Sequence, residues 1–163
     1  MSLDPVLAAL TSRFSRVRTG LAVGFDGEGA MNEFKARCGG VWAAASGTEE
    51  LPFEDRQFEV VVLERRSVDR DCVHEAHRVL KPDGCLFFTV PERTGKQEGF
   101  TPPEIYKVVR EGFDIIELKR PKWWTFGRCG HTITVCARKK AWREHRGLFT
   151  EGSLPFTPFR ERT

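Results

Sequence analysis

The run Phe58-Glu59-Val60-Val61-Val62-Leu63 constrains this chain more than any other segment. It is nearly continuous in apolar, β-branched residues, as a strand buried on both faces must be. Such a strand needs helices above and below it. The sequence places one next: Val68 to Leu80 carries Val68, Cys72, Val73, Ala76, Val79 and Leu80 on one side of a helix. Lys81-Pro82-Asp83-Gly84 then reads as a helix stop and turn, with Gly84 available for a positive φ. Cys85 to Val90 is a second buried strand, closed by Pro91. Strand, helix and strand in this order predict a parallel pair joined by a crossover helix.

The flanking segments extend the pattern. Asp4-Pro5 is a helix start, and Val6, Leu7, Leu10, Phe14 and Val17 continue it to about Arg18. Gly20 to Gly24 is a short apolar strand before the Gly-rich turn Gly24-Phe25-Asp26-Gly27-Glu28-Gly29. A helix over Ala30 to Arg37 stops at Gly39-Gly40, and Val41 to Ala45 is another short strand. Thr101 and Glu104 form a capping box ahead of Ile105, Val108 and Val109. Phe113 to Leu118 and Thr132 to Ala137 are the last strands. At 163 residues the chain fits one α/β domain, residues 1–141, with an irregular basic and aromatic tail over 142–163.

Several stretches resemble the class I S-adenosylmethionine-dependent methyltransferases, of the methyltransferase type 11 kind. Leu51-Pro52-Phe53-Glu54-Asp55 through Phe58-Glu59-Val60-Val61 is similar to the family's segment entering its fourth strand. Glu75-Ala76-His77-Arg78-Val79-Leu80-Lys81-Pro82-Asp83-Gly84 resembles the turn into its fifth. Phe100-Thr101-Pro102-Pro103-Glu104 through Gly112-Phe113, and Val135-Cys136-Ala137-Arg138-Lys139, resemble its final elements. The resemblance implies a Rossmann-like sheet, mainly parallel with an antiparallel last strand. It implies S-adenosylmethionine as cofactor, a small-molecule methyl acceptor, and ligands at the carboxyl ends of the strands.

Residue by residue, the resemblance assigns the cofactor's methionine end to Gly24, Asp26, Gly27 and Gly29, and Glu49 or Glu50, next to Leu51, would stand in for the acid that meets its adenine. Glu64, just past the fourth strand, stands where a substrate-contacting or catalytic group is expected. The chain also departs from the pattern. Ala22 replaces the acid near the first strand's end, and Gly47 replaces the acid that would meet the adenine. Only one strand fits between Cys38 and Leu51, where the family has a strand, a helix and another strand. Its lead into Leu51-Pro52-Phe53 matches the third, so the second strand and its helix are missing, along with the ribose-binding acid. Two alternatives follow: a methyltransferase, or a methyltransferase-like binding module that has lost the chemistry.

The net charge of +3 hides an asymmetry, since residues from Phe113 onward hold 11 Lys/Arg against 5 Asp/Glu. Lys119 to Arg128 interleaves cations with Trp123, Trp124 and Phe126, a pattern that can stack bases and meet phosphates. Nucleic-acid binding is therefore a third reading, beside a solvated hairpin covering the sheet edge. An apolar edge left by the missing strand invites a homodimer. The cysteines, Cys38, Cys72, Cys85, Cys129 and Cys136, are odd in number and contain no CxxC, so no disulfide framework or metal site is expected. No run approaches the ~18 apolar residues of a membrane span. The expected location is the cytoplasm.

Overall fold

The computed structural model describes residues 4–25, 27–46, 50–64, 68–95, 98–120 and 132–140. In chain order the elements are α1 (Asp4–Arg13), β1 (Thr19–Val23), α2 (Glu28–Cys38), β2 (Val41–Ala45), β3 (Phe58–Leu63), α3 (Arg70–Val79), β4 (Leu80–Pro91), α4 (Pro102–Val109), β5 (Phe113–Lys119) and β6 (Thr132–Lys139). The strands form one sheet in the order β2-β1-β3-β4-β6-β5. β2, β1, β3 and β4 are parallel, and β6 is antiparallel to both β4 and β5.

The chain winds one way from β1 to β2 and the other way from β3 to β4. Right-handed crossovers then put the helices on opposite faces. One core cluster joins α1 and α2 to the sheet through Leu7, Leu10, Phe34, Val60, Val62 and Phe87. The other joins α3 and α4 through Val73, Ala76, Val79, Ile105, Val61 and Phe88. Alternate residues of β3 thus serve opposite cores, which is why that strand is apolar throughout.

Three local expectations change. α1 ends at Arg13, not near Arg18. The Thr11 and Ser12 hydroxyls donate back to the Leu7 and Ala9 carbonyls, each at 2.8 Å, in its final turn. Phe14 then packs edge-on to Phe87. Lys81 to Gly84 is a bulge within β4 rather than a free turn: Leu80 pairs with Phe58, and the ladder resumes at Cys85 with Val60. Positive φ falls on Asp83, at 61°, not on Gly84. Gly84 is needed for closeness instead, because a Cβ there would stand 2.8 Å from the Lys81 carbonyl oxygen.

The third change concerns β2. Its lead into Leu51 matches a third strand, but it pairs directly with β1, Gly20 opposite Trp42 and Val23 opposite Ala45. It fills the place of the second strand. A gap there would leave one edge of β1 without hydrogen-bond partners in the sheet's interior. The Trp42 ring stacks on Phe34 of α2 at 4.7 Å, which seals this end of the core.

Arg78 fixes the short connection from β2 to β3. Its Nε and Nη2 donate to Glu75 at 2.9 and 2.7 Å. Nη2 also reaches the Leu51 carbonyl at 2.9 Å, and Nη1 reaches the Phe53 carbonyl and Asp55, both at 2.8 Å. All five guanidinium protons are used. Glu75 in turn accepts from the Leu51 N–H at 2.9 Å. The hydrogen bonds from Arg78 hold the Glu75 carboxyl below its usual range. Replacing the fork by an ammonium leaves several of these acceptors unsatisfied. Arg78→Lys is expected to lower stability by about 2–3 kcal/mol in urea unfolding, with the fold retained.

Lys139 is the second tie. It is buried, and its Nζ donates to the His77 and Leu80 carbonyls at 2.6 and 2.7 Å, closing the end of α3. Burial, aided by the charge of Arg56, lowers its pKa from 10.5 to about 8. Between these values the unfolded chain holds more protons than the folded one, so stability rises with pH. Between about pH 8 and about pH 10, wild type should gain about 1–3 kcal/mol relative to Lys139→Met in urea unfolding.

Candidate functional site at the carboxyl edge of the sheet

The winding direction reverses between β1 and β3, so the chain leaves these neighbours toward opposite faces and opens a crevice at their carboxyl ends. Three strand ends are bound together there. The Gly24 N–H donates to the Ala45 carbonyl at 2.8 Å, and the Glu64 N–H donates to the Val23 carbonyl at 2.9 Å. Gly24, Ser46 and Glu64 therefore follow the ends of β1, β2 and β3 on one edge.

The turn after β1 is shaped by its glycines. Gly24 has φ 81°, and Gly27 has φ 101° and caps α2. Side chains resist such values, whereas glycine adopts them freely. Phe25 turns inward and meets Phe34 edge-on at 5.4 Å. The first turn of α2 thus begins at the crevice, where its N–H groups and positive dipole end favour an anionic group. Gly29 lies inside α2 with open space at its Cβ position.

The other expected residues distribute as follows. Glu64 is half-buried at the crevice. Glu50 is exposed, and Leu51 beside it is buried with its backbone held by Glu75 and Arg78. Asp26 and Glu49 lie outside the described residues, as do Cys129, His131 and nearly all of the Trp-rich hairpin. Ser46 is the position that sequence reasoning missed. Nothing in the local sequence revealed that β2 pairs with β1, and only that pairing brings Ser46 beside Gly24.

Cys38, Cys72, Cys85 and Cys136 are buried free thiols. Burial, with the charges of Asp69 and Glu75, pushes Cys72 up to about 12, far from a reactive thiolate. His74 pairs with Glu111 at 3.1 Å, and His77 packs edge-on against Phe113.

A sheet of this order, with a glycine turn after its first strand at the switch point, defines the Rossmann-like methyltransferase class. A family model described as a methyltransferase domain matches residues 8–88, from α1 into β4. Over these residues the chain matches the methyltransferase-domain family, and its fold is consistent with a class I S-adenosylmethionine-dependent methyltransferase. No curated protein sequence matches it.

Among solved structures it is similar to Burkholderia thailandensis 1,6-didemethyltoxoflavin-N1-methyltransferase, bound to 1,6-didemethyltoxoflavin and S-adenosylhomocysteine. The TM-score is 0.67 at 18% identity, over 85% of this chain and 78% of the other. The cyclase SpnF gives 0.67 at 14% identity, over 85% and 81%. Haemonchus contortus phosphoethanolamine N-methyltransferase 2, with phosphomonomethylethanolamine and S-adenosylhomocysteine, gives 0.64 at 13%, over 83% and 52%. At such identities the likeness is one of fold.

The two glycines of the α2 start should respond oppositely to a methyl group. Gly27→Ala forces a side chain into the left-handed region and should cost about 1–2 kcal/mol in urea unfolding. Gly29→Ala, in a helix with open space, should gain about 0.5–1 kcal/mol.

Proposed function

We propose that this chain binds S-adenosylmethionine at the carboxyl edge of β1, β2 and β3 and transfers its methyl group to a small-molecule acceptor. The observation that carries the reading is the convergence of Gly24, Ser46 and Glu64, held by two backbone hydrogen bonds across three strand ends. The donor set suits such a cofactor. The turn of Gly24, Asp26, Gly27 and Gly29, with the first N–H groups of α2, would hold the methionine carboxylate. The Ser46 hydroxyl, with Glu49 and Glu50, would take the ribose hydroxyls, and the loop to Leu51 would lie against the adenine. The cofactor supplies an electrophilic methyl group, and the chain's task is to align an acceptor in line with it. Glu64 would contact that acceptor.

A second reading is a family member that keeps the fold as a binding module and transfers no methyl group. Two observations favour it: among the described residues the sheet has a single strand outside β1, and that strand ends in Ala45-Ser46 without an acid. The neighbouring fold of SpnF is named a cyclase, so this architecture is not confined to methyl transfer. Buried free thiols support a reducing, cytoplasmic location. β2 forms one edge of the sheet and Val41 is 71% exposed, which supports a homodimer through that edge. Nucleic-acid binding rests on residues 119–128, of which 121–128 lie outside the described residues.

Calorimetry with S-adenosylhomocysteine tests the cofactor site. Saturable binding is expected, weakened about tenfold or more by Gly27→Val, which thrusts a branched side chain from the turn. No heat at millimolar ligand would remove the first reading, and binding without transfer to any acceptor would favour the second.

A further inference from the structure

A cavity of about 340 Å³ lies on the opposite edge of the sheet from the crevice, between α3, the end of α4 and the start of β5. Its walls include Val73, Val108 and Phe113, and Arg56 and Lys139 also line it. Volume and lining match a pocket for a small organic molecule.

Three cations, Arg56, Arg78 and Lys139, and three carboxylates line this cavity, and they are not paired one to one. The carboxylates are Asp55, Glu75 and Glu111. Asp55 and Glu75 are held by Arg78 at 2.8 and 2.7 Å. Glu111 is held by Arg70 at 2.8 Å and His74 at 3.1 Å. Among the described residues, none of these carboxylates forms an ion pair with Arg56 or Lys139. The charge of Arg56 disfavours that of Lys139, and the nearby Asp55 favours it without forming an ion pair. Lys139 spends two of its protons on the His77 and Leu80 carbonyls and retains a third. Arg56 stands at φ 59°, and its N–H is pinned to the Arg78 carbonyl at 3.0 Å. Two cations that form no ion pair among the described residues, beside apolar walls, suit an anion attached to an apolar body.

We propose that this cavity binds a small carboxylic acid with an apolar or aromatic body, its carboxylate meeting Arg56 and Lys139 and its body resting on Val73, Val108 and Phe113. The site is separate from the carboxyl edge. Arg56 precedes β3, and Lys139 ends the antiparallel β6 beside the start of β4. A ligand there would touch both the end of α3 and the connection from β2, and could stiffen the connection that also frames the crevice.

Benzoate, its uncharged isostere benzamide, and inorganic phosphate are suitable probes, followed by amide chemical shifts of the isotopically labelled full chain. Benzoate at millimolar concentration should give saturable shifts centred on Gly112, Phe113 and Lys139. Benzamide and phosphate should each bind about tenfold more weakly or worse. Arg56→Gln, at an exposed position, should fold normally and weaken benzoate about tenfold or more. The proposal is overturned if benzoate gives no saturable shifts or shifts elsewhere only. It also fails if benzamide or phosphate binds as well as benzoate, or if Arg56→Gln leaves the affinity unchanged.

Discussion

The five hydrogen bonds of the Arg78 guanidinium are the constraint on which this compact sheet depends. They tie Glu75 of α3 to Leu51, Phe53 and Asp55 in the connection that follows β2. A parallel sheet ordinarily returns through a packed helix, which anchors the chain by its apolar face. Here the described residues between β2 and β3, Ser46 and 50–57, hold no helix. A charged fork, with every proton assigned and its carboxylate partner also bonded to the Leu51 N–H, replaces that apolar anchor. The two stretches of greatest family resemblance, around Leu51 and around Arg78, are thus two halves of one contact.

That contact lets β2 settle against β1. The ends of β1 and β2 come within one backbone hydrogen bond of each other, Gly24 to Ala45. At the crevice, Ser46 follows the end of β2, where the family resemblance implies an acid with two acceptors. The family's chemistry asks mainly for position rather than for reactive side chains, and that requirement is met by backbone geometry at Gly24 and Gly27. The opposite, lower edge, which holds the second cavity, is built differently, with Lys139 and Arg56 beside an apolar wall and the local acids already engaged.

Much of this was legible in the sequence where local pattern and long-range structure agree. The continuous apolar run of β3 announced a two-faced strand, and the apolar stripe of α3 announced its cover. Thr101 and Glu104 marked the start of α4, where the Glu104 carboxylate accepts from the Thr101 N–H at 2.8 Å. The errors came where tertiary pairing overrides local signal. Pro82 and Gly84 read as a turn, yet the ladder of β3 and β4 draws them into a bulge with the strained angle on Asp83. The place of β2 depends on which strand edge is vacant, a property of the sheet that no residue in Val41–Ala45 encodes. The lower cavity was invisible for the same reason, since Arg56, His77 and Lys139 meet only after β6 has folded back along β4.

Cofactor binding at the carboxyl edge is tested most directly by mapping S-adenosylhomocysteine onto the backbone amides of the labelled protein. Saturable shifts at Gly24, Gly27, Ser46 and Glu64, with the amides of the lower cavity unmoved, are the expected result. An absence of saturable shifts, or shifts confined to Gly112, Phe113 and Lys139, would contradict a cofactor site at this edge.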